Sequence, residues 1–333
     1  MFDDATVLIT GGTGSFGHAF VESVLGKFNP KKLIIFSRDE MKQWNMAKLY
    51  GEDPRVRFFI GDVRDRDRVY RAMAGVDYVV HAAATKIVPT AEYNPFEAVK
   101  TNINGAMNVI DAAIDRGVKS VVALSTDKAS SPVNLYGATK LASDKMFVAA
   151  HAYSGAHETR FSVVRYGNVM GSRGSVIPLF LEKAKAGKPL PITEKTMTRF
   201  MISLDEGVGL VETAFSSGHG GEIFVKKIPS MGIMDIAEAV DPGGKRDIIG
   251  QRPGEKIHEQ MIGPEDSAST WEFEDHFRIV SPLVPASNTH FNEIGGTRVP
   301  EGFSYTSDQN SDWMSIDQLR DWLIDNTKKM LKI

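Results

Sequence analysis

The sequence predicts an α/β protein: a doubly wound, mainly parallel sheet followed by a smaller second α/β domain. Two observations carry this. In the first half, short apolar runs alternate with amphipathic stretches of helical period. Strands that are apolar on both faces, with helices between them, belong in a parallel sheet covered on both sides. From about Gly167 the alternation stops and Gly and Pro become frequent, as in Gly171–Gly174, Pro189–Pro191 and Arg252–Gly254. That is the composition of a loop-rich second unit.

The predicted strands are Thr6–Thr10, Leu33–Phe36, Val56–Ile60, Tyr78–His81, Val121–Ser125 and Phe161–Tyr166. Helical patterns between them cover Phe16–Leu25, Glu40–Tyr50, Asp65–Ala74, Pro95–Asp115 and Leu135–Ala152. Later helical patterns are Ile177–Ala186, Leu204–Phe215, Asp235–Val240 and Ile316–Met330. The expected division is 1–169 for a dinucleotide-binding domain that also carries the catalytic residues, and 170–333 for a substrate domain. The boundary is soft, because the chain can cross back to the first domain.

Composition excludes several classes. The 333 residues carry a net charge of -3, so no basic face is offered to nucleic acid. Cys is absent, which removes disulfides, thiolate metal sites and Cys nucleophiles. The eight His residues show no metal-binding spacing, so no metal is expected. No apolar stretch approaches the roughly 20 residues that cross a bilayer. The chain opens almost directly on a strand with no basic, apolar leader, so a cytoplasmic protein is expected.

The run Thr10-Gly11-Gly12-Thr13-Gly14-Ser15-Phe16-Gly17 follows the first strand and opens a helix. Gly11, Gly14 and Gly17 are spaced for a tight turn, close approach to a pyrophosphate and tight helix–strand packing, with Thr13, Ser15 and Phe16 lining the same turn. The helix N-terminus then supplies amide donors. Such a dinucleotide site in the Rossmann manner is read further at the end of the second strand, in Phe36-Ser37-Arg38-Asp39 with Lys42 nearby. A hydroxyl and a guanidinium there suit a 2′-phosphate, which favours NADP, although Asp39 could instead face a ribose. Asp62 and Val63 follow the third strand, where the adenine is commonly held. Ala82 and Ala83 follow the fourth, and their small side chains allow either cofactor approach or simple close packing.

Thr126, Asp127 and Lys128 end the fifth strand, and Tyr136 and Lys140 stand four apart on one face of the next helix. A Lys ammonium beside a phenol lowers its pKa, so Tyr136 could take a proton from a sugar hydroxyl while hydride leaves for a nicotinamide. Lys140 would also hold the nicotinamide ribose. Alone, Asp127-Lys128 reads first as a solvated turn pair, the usual fate of such a dipeptide.

The combination TGGTGSFG, SRDE, GDVRD, HAAATK, STDKA, LYGATK, VVRYGNVMGSRGSV, MTRF, GGEIFV and RPGEK resembles the soluble bacterial UDP-N-acetylglucosamine 4,6-dehydratases that invert C5. These belong to the extended short-chain dehydrogenase/reductase superfamily and open the pathway to pseudaminic acid. The resemblance runs from Thr6 to about Trp313 and implies a lyase with UDP-N-acetylglucosamine as substrate. It implies that Lys128 removes the C5 proton, with its pKa depressed by Lys140 and the oxidised nicotinamide, and that Asp127 assists departure of the C6 hydroxyl. Thr126 would bond O4 beside Tyr136. By the same resemblance Lys86 and Tyr166 lie at the nicotinamide, Lys86 and Asn168 meet the sugar nucleotide, and Arg199, Arg252 and Glu255 meet the diphosphate and uridine. It also implies a homo-oligomer, a hexamer among the options. One departure is Ile87, where the family is expected to carry His.

Three other readings compete. A dehydratase of the capsule-sugar branch that also epimerises shares STDKA but typically lacks the Tyr of Y-x-x-x-K. A UDP-sugar 4-epimerase needs Tyr and Lys but no acid–base pair at C5 and C6. A non-catalytic NADP-sensing protein tends to lose the Tyr/Lys pair, which is intact here.

Overall fold

The computed structural model describes residues 1–155, 158–283 and 288–330, with the backbone alone for 288–290 and 327–330. In the first half, β1 (Thr6–Thr10), α1 (Ser15–Lys27), β2 (Lys32–Ser37), α2 (Glu40–Tyr50) and β3 (Val56–Ile60) come first. Then follow α3 (Arg66–Ala72), β4 (Tyr78–His81), α4 (Val88–Tyr93), α5 (Pro95–Val99) and α6 (Gly105–Asp115). β5 (Ser120–Leu124), α7 (Leu135–Tyr153) and β6 (Arg160–Arg165) complete it. The six strands fall where the short apolar runs predict them, and β1 is buried at all five positions.

The second half adds β7 (Asn168–Val169), α8 (Val176–Lys185), β8 (Leu190–Ile192), β9 (Thr198–Ile202), α9 (Leu204–Ser217) and β10 (Glu222–Lys226). Next are β11 (Ser230–Gly232), α10 (Ile233–Val240), β12 (Arg246–Ile248), β13 (Gln260–Ile262), β14 (Thr270–Glu272) and β15 (His276–Val280). Last come α11 (Asn288–Glu293), β16 (Thr297–Arg298), β17 (Tyr305–Thr306) and α12 (Ile316–Met330).

Among the described residues the large sheet runs β16-β14-β15-β10-β6-β5-β4-β1-β2-β3. From β3 to β10 every pairing is parallel, and β15, β14 and β16 continue it antiparallel. The order reverses beside β1, where β4 lies on one side and β2 on the other, and in such sheets a ligand crevice opens at the carboxyl ends there. One buried core follows this sheet. A second gathers Met170, Ile177, Phe180, Leu190, Ile192, Ile233, Ile236, Leu319 and Leu323 from β8, α8, α10, α12 and neighbouring segments.

Local chemistry sets the helix starts. Asp39, Asp65, Asn134 and Ser203 cap α2, α3, α7 and α9, each accepting a backbone N–H of the first turn. Ser203 and Glu206 complete a capping box. One expectation differs from the structure. Pro95–Asp115 is not one helix but α5 and α6 joined by a π turn over Lys100–Asn104. That turn carries the buried Asn102, which accepts from Thr85 N–H and donates to the Thr85 carbonyl and the Thr139 hydroxyl. It thereby clips the loop after β4 to α7.

Candidate active site

A cleft of about 850 Å³ opens at the carboxyl ends of the parallel strands, and every site residue singled out from the sequence borders it. At its dinucleotide end Gly11 turns with φ +67, and a Cβ there would lie 2.8 Å from the Ala83 backbone. A Cβ on Gly17 would lie 2.0 Å from the Gly12 carbonyl, so α1 meets the loop backbone directly. Gly14 supplies no side-chain cap and the first turn holds no acidic residue, leaving the α1 amides for an anion. Thr13, Ser15 and Phe16 line this end. These residues fit a dinucleotide: the cradle is one that a Cβ would fill.

At the end of β2 the buried Ser37 hydroxyl lies 2.8 Å from that of Thr13. Arg38 is exposed and stands 3.7 Å from Asp62. The Asp39 carboxylate is engaged locally, accepting the Lys42 N–H at 3.0 Å and pairing with the Lys42 ammonium at 3.3 Å. Val63, Ala82 and Ala83 complete the wall. Behind them the buried His81 Nδ1 lies 2.8 Å from the Thr10 hydroxyl, and burial, aided by Lys140, pushes its pKa down to about 3.

The chemistry-bearing residues converge where β5 meets α7. Asn134 accepts from Gly137 N–H at 2.7 Å and starts the helix, which fixes Tyr136 and Lys140 on its first turns. Gly137 permits the approach, since a Cβ there would lie 2.1 Å from the Lys128 carbonyl. Asp127, 1% exposed, donates its N–H to the Tyr166 carbonyl on the neighbouring strand's extension. Its Oδ1 accepts from the Thr126 hydroxyl at 2.9 Å and from Lys128 Nζ at 3.1 Å. Lys128 Nζ lies equally close, 3.0 Å, to Oε1 of Glu259. Ser125 donates to Asp144 at 2.6 Å, and Asp144 also pairs with the buried Arg165.

The electrostatics correct two expectations. Lys128 is not depressed; against the cost of its burial, Asp127 and Glu259 hold its pKa above the ordinary lysine value. Tyr136 is pushed up to about 12 by burial, and the cation that most favours its phenolate is Lys128 rather than Lys140. Lys140 itself is lowered by burial, opposed by Asp144. Asp127 is raised, first by burial and then by the charge of Glu259.

Lys86, Tyr166 and Asn168 face the same cleft. Oδ1 of Asn168 is buried without a protein partner, as are Oδ2 of Asp127, Oε2 of Glu259 and Nε of Arg173. Unpaired buried polar atoms gathered in one cleft mark it as a place for a polar ligand. Arg199 donates to the Thr198, Lys256 and Ile257 carbonyls and stands 3.7 Å from Glu259, so it anchors the loop after β12. Arg252, exposed at the rim, pairs with Glu255. Sequence reasoning missed Glu259, Arg173 and Asn134. Asn134 was legible as an Asn before a helix start; for Glu259 no local signal exists.

A family model described as polysaccharide biosynthesis protein matches residues 7–281. The chain belongs to this family. It is 53% identical over 98% of its length to a Campylobacter jejuni protein named UDP-N-acetylglucosamine 4,6-dehydratase (inverting), covering 99% of that relative. It is 45% identical over 97% of its length to a Rickettsia canadensis protein named UDP-glucose 4-epimerase, covering 96% of it. The X-ray structure of Pen from Bacillus thuringiensis superposes on this chain with a TM-score of 0.89 at 39% identity, over 98% of this chain and 99% of that one. Among the described residues no cluster of three His, Asp or Glu could hold a metal, and no helix is long and apolar enough to cross a membrane.

Proposed function

We propose that this enzyme is a UDP-N-acetylglucosamine 4,6-dehydratase that inverts C5 and uses NADP. The observation that carries this is the buried Asp127 beside Lys128, 3.1 Å apart, in one cleft with Tyr136 and Lys140. A 4-epimerase has no task for that pair. The Campylobacter relative supports the reading by its name and by similarity along nearly the full chain.

The bound dinucleotide would supply the acceptor for the C4 hydrogen and give that hydrogen back at C6. Glycines 11, 14 and 17, Ser37 and Arg38 would hold it, with Lys42 and Asp62 beside the adenosine. The engagement of Asp39 as the α2 cap supports NADP over NAD, since its carboxylate is taken up by Lys42 and the Arg38 guanidinium faces the same end.

Tyr136 takes the proton of the O4 hydroxyl, with Thr126 holding that oxygen. The resulting C4 ketone acidifies the C5 hydrogen, which Lys128 removes. Asp127, pushed toward its protonated form by burial and Glu259, gives a proton to the departing C6 hydroxyl. Asn168, Arg252 and Glu255 hold the sugar nucleotide, with Lys86 along the wall. A homo-oligomer is our reading of the assembly, and exposed Tyr93, Phe96 and Met107 on α4 to α6 offer the apolar surface for it.

The test is proton NMR of the enzyme with UDP-N-acetylglucosamine in deuterated water. A C6 methyl signal, deuterium at C5 and the L-arabino 4-keto product are expected. Unchanged substrate would refute the assignment. Interconversion with the galacto isomer would establish a 4-epimerase, the reading that the Rickettsia relative's name favours.

A further inference from the structure

The catalytic turn holds a carboxyl group that the proposed chemistry does not yet use. Glu259 is 1% exposed and reaches Lys128 from the second half of the chain, 131 positions later in the sequence than the lysine it touches. Its Oε1 lies 3.0 Å from Lys128 Nζ and 3.7 Å from Arg199 Nε, while Oε2 has no protein partner. Its backbone is clamped: the N–H donates to the Ser307 hydroxyl at 2.9 Å, and the carbonyl accepts from Ser307 N–H at 2.8 Å. Ser307 in turn bonds the Thr198 hydroxyl at 2.7 Å on β9. A surface ion pair has no such support behind it.

Two carboxyl groups therefore flank one ammonium, and their surroundings separate them. Asp127 has Lys128, the Thr126 hydroxyl and the charge of Lys256 to favour its ionised form, and burial outweighs them. Glu259 faces Lys128 from the turn after β5, Arg199 from β9 and Lys256 from its own loop. Burial raises Glu259, but these three cations outweigh it and its pKa ends below the ordinary value, while Asp127 is raised. Paired groups whose environments push them apart divide acid from counter-charge. The remaining titratable group facing the trio is Tyr136 on α7.

We propose that Glu259 is the positioning residue of Lys128: it aims Nζ into the cleft and stabilises the ammonium that forms as Lys128 takes the C5 proton. Lys128 acts from its neutral amine form, its own proton having passed to solvent: the C5–H bond breaks, an N–H bond forms on Lys128 and the electron pair passes to the enolate at C4. Glu259 stays ionised throughout and gains no proton. The role parallels that of a carboxylate which orients and charges a histidine base. It rests on the dehydratase reading and deepens it.

The experiment is the pH dependence of kcat/KM for C6 methyl formation in wild type, Glu259→Gln and Glu259→Asp, with thermal unfolding as the check on folding. Loss of one contact carboxylate lowers the pKa of Lys128, so the acid limb of Glu259→Gln moves down by about one pH unit or more. Its plateau also falls, because a weaker base removes the C5 proton more slowly. Glu259→Asp keeps the charge on a shorter arm, so its limb lies between the other two and part of the plateau returns. If Glu259→Gln does not fold, the intermediate limb of Glu259→Asp carries the test. Lowered plateaus with limbs that coincide with wild type would make Glu259 merely structural and overturn the inference. A wild type that forms no C6 methyl would instead remove the dehydratase reading on which it stands.

Discussion

Asn134 donates from Nδ2 to the Gly254 carbonyl at 2.7 Å, while its Oδ1 accepts the Gly137 N–H at the same distance. One side chain thus starts α7 and ties down the loop that carries Arg252 and Glu255. Replacement separates the two tasks. Asn134→Ala loses both and should lower stability by about 1 kcal/mol, the usual worth of a cap. Asn134→Asp keeps the cap and loses the donor, so its melting temperature should stay near wild type while KM for the sugar nucleotide rises. Thermal melts beside steady-state kinetics check this; equal behaviour of the two variants would deny the loop tether.

Lys128 and Asp127 should fail differently. Lys128→Ala removes the proposed base, so C6 methyl formation should drop by roughly 10²–10⁴-fold, and deuterium should no longer enter C5. In Asp127→Asn the base survives and the acid is gone, so recovered substrate should carry C5 deuterium while methyl formation falls. NMR of recovered substrate in deuterated water reads both. Loss of C5 exchange in Asp127→Asn would place the base elsewhere than Lys128 alone.

Arg38 should decide between the two dinucleotides. Arg38→Ala removes a charged hydrogen-bond donor that only a 2′-phosphate would use, so NADPH should bind about tenfold more weakly with NADH little changed. Fluorescence titration of each cofactor gives the ratio, and equal losses would favour a ribose-binding role for Asp39.

His81 should make the fold acid-sensitive. Its pKa falls from 6.5 to about 3 in the folded chain because the ring is buried, with Thr10 and Lys140 facing it. The unfolded chain then binds the proton first. Stability contributed by the neutral ring is full above about pH 6.5 and is lost as pH falls toward 3, on the order of a few kcal/mol. His81→Gln should flatten this dependence between pH 6.5 and 4 in denaturant melts. An unaltered slope would assign the acid sensitivity to other groups.

The six strands of the first half were legible as short, mainly apolar runs between helical patterns, and the glycine loop, Ser37-Arg38, Asp62-Val63, Ala82-Ala83 and Thr126-Asp127-Lys128 each sit at or just past one of their carboxyl ends. The fold rule then carries the motifs to one cleft. The later strands were not legible for a physical reason. β10 and β15 hold only two or three consecutive apolar positions beside charged ones, with Glu222 and Arg278 paired at 3.2 Å, so neither stands out as a strand-length apolar run. The charge state of Lys128 was unreadable for a similar reason. It depends on Glu259, whose approach exists only once β13 packs near the catalytic turn. The π turn at Lys100–Asn104 escaped because its sequence continues the helical period on either side.

The clamp on Glu259 also orders events in time. A chain emerging from the ribosome reaches its glycine loop, Asp127-Lys128 and the Tyr136/Lys140 helix within its first half, yet Lys128 then lacks its second carboxylate. Glu259 comes much later, and the Ser307 that fixes it later still. A chain shortened before Glu259 should therefore lack the second carboxylate at Lys128, and turnover becomes a property of the whole polypeptide.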